Sequence, residues 1–192
     1  MKKEVLVFIS EGYADWEGAY ICSELNKPET EFAVKTLAIS NMPVKSMGGF
    51  SVVPDYSIDE LPPHFEMLIL IGGTSWAKGE NNRIQVVIDI CLNKNIPVAA
   101  ICDACTFLAD KGYLNNIEHT GNSVTYLEKF APHYKGTQHF VEKQVVSADG
   151  FITANGTAAV EFAKEVLSYL HVMEPDVLEE WYQLFKVGFY QK

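Results

Sequence analysis

The sequence predicts an α/β fold built on a mainly parallel sheet, and three observations carry that prediction. Short apolar runs recur at residues 5–9, 32–39, 67–71 and 96–101, several of them apolar throughout, as strands covered on both faces are. Between them lie segments with apolar residues at helical spacing, such as Ile84, Val87, Ile88, Cys91 and Leu92. Turn-forming clusters such as Ser10-Glu11-Gly12 and Gly72-Gly73 follow the first and third strand-like runs.

Taken in order, residues 5–9 open the sheet, and Asp15 is placed to cap a helix carrying Trp16, Ala19, Tyr20 and Leu25, with Glu17 in its first turn. Residues 32–39 form the second strand. Residues 44–53, interrupted by Gly48-Gly49, read as a hairpin before a loop containing Pro54, Pro62 and Pro63. The strand at 67–71 ends in Gly72-Gly73, where glycine lets backbone N–H groups approach a ligand. The helix-periodic residues 84–92 and the strand 96–101 lead into a helix-like stretch, 106–111, stopped by Gly112. A polar loop then carries His119, Thr120, Gly121 and Asn122 back towards the carboxyl edge of the sheet. Residues 140–146 and 151–154 flank Ala148-Asp149-Gly150, a hairpin signal. Thr157 can cap the helix of Ala159, Phe162, Ala163, Val166 and Leu167, and Pro175 suits the start of a last helix.

With 192 residues and no internal repeat, one domain spanning 1–192 is expected. A net charge of −10 argues against nucleic acid or an anionic membrane as partner. A small molecule or another protein fits better. No apolar run approaches the roughly 18 residues of a membrane span, and Met1-Lys2-Lys3 leads straight into a strand, so a cytoplasmic location is expected. Four cysteines are too few for a disulfide scaffold, and Cys22 and Cys91 fall on helix faces where a small hydrophobe suffices.

The chemistry concentrates at Ala99-Ala100-Ile101-Cys102-Asp103-Ala104, where an apolar strand turns directly into a helix. A nucleophile elbow needs small residues two before and two after the nucleophile, and Ala100 and Ala104 meet that need around Cys102. A thiol so placed faces the free N–H groups of a helix start, which lowers its pKa below that of the other cysteines. Cys102 and Cys105 also spell C-x-x-C, the pattern of a redox pair, but the intervening residues are Asp-Ala and about four βα elements precede it. The five histidines, His64, His119, His133, His139 and His171, are scattered, so no metal is expected. The Gly72-Gly73 turn lacks a P-loop lysine and the spaced glycines of a dinucleotide site, so no cofactor is expected.

With these features placed, the chain resembles the ThiJ/PfpI family of the class I glutamine-amidotransferase-like superfamily, the group that includes the Parkinson-associated protein deglycase. The marks are Glu17 after the first strand, Leu70-Ile71-Gly72-Gly73, the elbow Ala99-Ala100-Ile101-Cys102, and Ile152-Thr153-Ala154-Asn155-Gly156-Thr157. The resemblance implies a flavodoxin-like three-layer α/β/α sandwich, usually dimeric. It implies Cys102 as the reactive thiol, Glu17 as a protonated carboxyl bonded to it, and the Gly73 and Asp103 N–H groups as an oxyanion hole. Some relatives carry a base just after the cysteine, where this chain has Asp103; others carry it on the following loop, where this chain has Asn122, with His119 three residues earlier. Asn122 and His119 are therefore assigned to substrate binding. The expected activity is a cysteine-dependent hydrolase or lyase attacking a carbonyl or aldehyde, with a non-catalytic thiol redox sensor as the alternative. A homodimer is expected from the resemblance and from Trp181, Tyr182, Phe185, Phe189 and Tyr190, which one small domain need not bury fully.

Overall fold

A computed structural model describes residues 2–188. The chain runs β1 (Lys3–Phe8), α1 (Asp15–Leu25), β2 (Phe32–Ala38), β3 (Val44–Lys45), β4 (Ser51–Val52), β5 (Tyr56–Ser57) and β6 (Met67–Leu70). It continues through α2 (Gln85–Asn93), β7 (Val98–Ile101), α3 (Asp103–Asp110), α4 (Val124–Phe130), β8 (Val145–Ala148), β9 (Phe151–Ala154), α5 (Ala159–Tyr169) and α6 (Pro175–Val187). Seven strands form one sheet in the order β5-β2-β1-β6-β7-β9-β8. All neighbours are parallel except the hairpin pair β8 and β9. The sheet carries helices on both faces, as expected.

Alternate strand residues feed opposite layers, which is why the strands read as unbroken apolar runs. Val5, Val7, Met67, Ile69, Ala99 and Ile101 join the core shared with Ile21 of α1 and Phe162 of α5. Leu6, Phe8, Leu68, Leu70, Val98 and Ala100 join the core under Ile88 of α2 and Leu108 of α3. From β1 the chain goes outward to β2 and β5, then returns to add β6, β7 and β9 on the other side. That reversal opens a crevice at the carboxyl ends of β1 and β6, the usual ligand position in such sheets.

Several local expectations change. Asp15 does not cap α1: Ala14 is the N-cap, and the Asp15 carboxylate instead accepts the Gly48 N–H of the β3–β4 hairpin at 2.7 Å. Thr157 does not cap α5, because its hydroxyl donates to Asn155 Oδ1 at 2.7 Å. Helix α3 starts at Asp103 rather than at 106. Helix α4 was not foreseen, and only Leu127 of its seven residues is buried. The expected hairpin of residues 44–53 forms as β3 and β4, and Asp149 (φ 47) and Gly150 (φ 81) make the β8–β9 turn.

Strand β5 covers only the last two residues of β2. Ahead of it, the outer edge of β2 is met by side chains: the Val34 N–H donates to Asn26 Oδ1 at 2.9 Å, and the Thr36 N–H to Asp55 Oδ2 at 2.8 Å. Trp181 is buried, and with Tyr20 and Phe185 it forms a set of ring contacts between α1 and α6. Tyr182 donates its hydroxyl to Glu161. Those aromatics are thus spent largely within the chain. Phe189 and Tyr190 lie outside the described residues.

Candidate active site

Three adjacent strands deliver the site: the loop after β1 leads to Glu17, β6 ends at Gly72-Gly73, and β7 ends at Cys102. Cys102 has φ 60 and ψ −125 and is the N-cap of α3. A left-handed backbone at a non-glycine residue costs about 1–3 kcal/mol, and it is maintained because the surrounding structure dictates it. Here the Cys102 N–H is tied to Ala154 O of β9 at 3.0 Å while Asp103 begins the helix. Two glycines crowd the thiol. A Cβ on Gly72 would stand 2.7 Å from both Cys102 Cβ and Glu17 Oε2, and one on Gly156 would stand 2.8 Å from Cys102 Sγ.

Glu17 is 1% exposed. Its Oε2 accepts the Gly72 N–H at 2.7 Å, while Oε1 is buried with no hydrogen-bond partner. Burial pushes its pKa up to about 7, against the pull of the Gly72 N–H. Burial, and then the Glu17 charge, push the Cys102 thiol up to about 12, with the Asn122 amide opposing. Burial likewise pushes Cys22 and Cys91 to about 12. The expectation that Cys102, at a helix start with a donor nearby, is the most acidic thiol is therefore corrected: burial first, and then the Glu17 charge, push it as far up as Cys22 and Cys91. The two acids act as a pair, since neither loses its proton freely while the other is charged.

Asn122 joins them directly. Its Nδ2 donates to Cys102 Sγ at 3.5 Å and its Oδ1 accepts the Gly156 N–H at 3.0 Å, which sets the orientation of the amide. The N–H groups of Gly73 and Asp103 donate no hydrogen bond among the described residues. Behind Gly73, a buried triangle of Ser10, Ser75 and Asn81, with contacts of 2.7 to 3.1 Å, ties the loop after β6 to the loop after β1.

His119 does not join them. It is 0% exposed, with Nδ1 2.7 Å from Ile117 O and Nε2 2.6 Å from the Tyr134 hydroxyl. The carbonyl can only accept, so Nδ1 carries the proton and Nε2 accepts from Tyr134. Burial lowers its pKa. With both nitrogens engaged inside the fold, it has no polar atom left for a substrate, and the binding role expected of it is withdrawn. Among the described residues, no three His, Cys, Asp or Glu side chains are grouped to hold a metal ion, and no helix is long and apolar enough to cross a membrane.

Residues 3–169 match the DJ-1/PfpI family. The chain belongs to this family. It is 42% identical over 188 residues to the "Uncharacterized protease YdeA" of Bacillus subtilis, covering 98% of this chain and 93% of that one. The thiJ/pfpI family protein of Bacillus anthracis superposes with a TM-score of 0.90 at 34% identity, over 98% of this chain and 92% of that one. "Protein/nucleic acid deglycase 2" of Escherichia coli is 26% identical over 159 residues, covering 80% and 89%.

Two parts of this DJ-1/PfpI site were not assigned from the sequence. Gly156 stood in a recognisable motif, but only its approach to Sγ shows what a side chain there would block. Tyr126 donates to Asp103 Oδ1 at 2.9 Å from the unforeseen α4, and no pattern in the sequence marked it.

Proposed function

We propose that this protein is a cysteine-dependent hydrolase or lyase in which Cys102 attacks the carbonyl carbon of a small-molecule substrate. The observation that carries the reading is the buried Glu17 carboxyl sharing a side-chain hydrogen bond with the Cys102 thiol, which is itself held at a positive-φ backbone. Moving the thiol proton to Glu17 gives a thiolate and a neutral carboxylic acid without changing the net charge of the site. The thiolate then forms a C–S bond, the carbonyl π pair moves to oxygen, and the Gly73 and Asp103 N–H groups are free to receive that oxyanion. Glu17 returns the proton to the oxyanion or to a leaving group and, once ionised, can take one from water. Asn122 holds the sulfur and cannot serve as a base.

The locked His119 favours one alternative, a thiol sensor in which a peroxide transfers oxygen to Cys102, giving a sulfenic acid and water without further turnover. Screening methylglyoxal, small amides and peptides against wild type and Cys102→Ser decides between them. Turnover lost in Cys102→Ser supports the enzyme. No turnover on any class, with stoichiometric peroxide consumption, supports the sensor.

The protein is further proposed to form a homodimer. Trp16, Met47 and Phe50 are 51%, 45% and 67% exposed, and the Asp15–Gly48 bond docks their hairpin against the start of α1. Phe50→Glu is expected to yield a monomer by light scattering; a wild type that is monomeric at micromolar concentration removes this proposal.

A further inference from the structure

The chemistry above leaves unused a pocket of about 290 Å³ that runs along the α3 face carrying Asp103, Thr106, Phe107 and Asp110. Trp76 and Tyr126 complete its walls. Each wall continues an element of the thiol site: Asp103 directly follows Cys102, Trp76 lies three residues beyond Gly73, and Tyr126 four beyond Asn122. Asp103 links the two, since it lines the pocket and its charge acts on the Cys102 thiol.

Its lining is aromatic and carries two carboxylates, Asp103 and Asp110, and one amine, Lys111. Trp76 and Phe107 stand with ring centroids 5.0 Å apart. Asp110, at the far end, is paired with Lys111 at 3.6 Å and hydrogen-bonded to His133 at 2.9 Å. Asp103 is not. Its side chain meets only the Tyr126 hydroxyl, and no Lys, Arg or His pairs with it among the described residues. Thr106, 8% exposed in the same wall, has a buried hydroxyl with no hydrogen-bond partner. Lys111 Nζ already stands 5.4 Å over the Phe107 ring, a cation held on an aromatic face of this lining.

We propose that this pocket receives a cationic group of the substrate, an alkylammonium or guanidinium, against Asp103 and the aromatic faces, while the reactive carbonyl lies at Cys102. This rests on the nucleophile reading given above. An anionic group would meet Asp103 unpaired, and a purely apolar one would strip water from that carboxylate without replacing it. The Asp103 charge is also one of the groups that hold the proton on Cys102. A cation seated against it offsets that charge, so the right substrate readies the thiolate that attacks it.

The test is the rate at which Cys102 in the full chain reacts with methanethiosulfonates differing in charge: trimethylammonioethyl, ethyl and sulfonatoethyl. Rates are followed by intact mass with peptide mapping, and each is divided by the rate for free cysteine. The cation-to-anion ratio cancels a general change in thiol ionisation. It is expected to exceed that of free cysteine and to fall about tenfold in Asp103→Asn, with no change in Glu60→Gln, an exposed carboxylate. Phe107→Leu keeps the carboxylate, removes a ring, and lowers the ratio about two- to threefold; it also serves if Asp103→Asn does not fold. A ratio within twofold of wild type in Asp103→Asn with Phe107→Leu also unchanged, or an equal fall in Glu60→Gln, overturns the proposal. Protection from the ethyl reagent identifies the source of the cation: protection by an acetylated lysine tripeptide amide alone assigns a polypeptide side chain, and protection by putrescine as well assigns a free amine. Protection by neither, or equally by a norleucine tripeptide, also overturns it. A charge preference in a protein without turnover leaves the pocket standing and removes the enzyme reading; turnover without the preference does the reverse.

Discussion

His119 and Glu17 are both sealed from solvent, at 0% and 1% exposure, and both carry two polar side-chain atoms. His119 has both of its atoms engaged, by Ile117 and Tyr134. Glu17 has one engaged by Gly72 and one without a partner beside a thiol. A buried polar atom left unpaired costs roughly 1–3 kcal/mol, and Glu161 Oε2 and Trp181 Nε1 are left so as well. Burial of a titratable group is therefore no mark of function by itself. What sets Glu17 apart is the Cys102 thiol that its carboxyl meets.

The comparison is broken or sharpened most strongly by activity. Cys102→Ala and Glu17→Ala are each expected to lower kcat/KM by about 10³-fold or more on any substrate the screen finds, since the nucleophile and its proton carrier act as one unit. His119→Ala is expected to lower kcat less than about tenfold, yet to cost about 2–4 kcal/mol in urea unfolding by leaving a cavity and two unpaired groups. A loss of about 10² in kcat with the fold intact would place His119 in the chemistry and undo the contrast.

Next comes the pH dependence of stability. The Glu17 pKa is raised from 4.5 to about 7 in the fold, so folding favours its neutral form. Its contribution is complete below pH 4.5 and is lost as pH rises towards 7, on the order of 3 kcal/mol in all. Glu17→Gln lacks that loss. Urea unfolding from pH 4 to 8 should show the variant gaining on wild type by up to about 3 kcal/mol at the upper end; parallel curves would mean Glu17 stays ionised in the fold. The smallest effect is at Tyr134→Phe, which removes the donor to His119 Nε2. It should cost about 1 kcal/mol and leave turnover unchanged.

The elbow was legible because its requirements are local: an apolar strand, a helix with no linker, and Ala100 and Ala104 around Cys102. The sheet was legible because strands buried on both faces read as unbroken apolar runs. Helix α4 was not, since seven residues with one buried leucine give no period to read. Asp15 and Thr157 sat at plausible caps, but Gly48 and Asn155, which claim them, are set by loop geometry that the sequence does not spell out. Thiol acidity failed for a related reason. The helix start is visible along the chain, whereas the burial of the thiol and, after it, the Glu17 charge are set by the packing of other elements. The direction of the His119 ring inside its loop is likewise a tertiary fact, and Trp181 was set aside for an interface because its partner Tyr20 lies on the first helix.

The outer margin of β2 has a consequence for how this protein survives at high concentration. A sheet that ends in a strand with free N–H groups is a template on which another chain can lay itself down. Here the terminal strand β5 is only two residues long, and the stretch of β2 that it leaves bare has the Val34 and Thr36 N–H groups already taken by Asn26 and Asp55. Asp55 also holds Lys35 at 3.1 Å, so an incoming strand would have to displace a salt bridge and two hydrogen bonds before it found a donor. Two ordinary polar residues, far from the thiol, thereby keep the parallel sheet from propagating beyond its own chain.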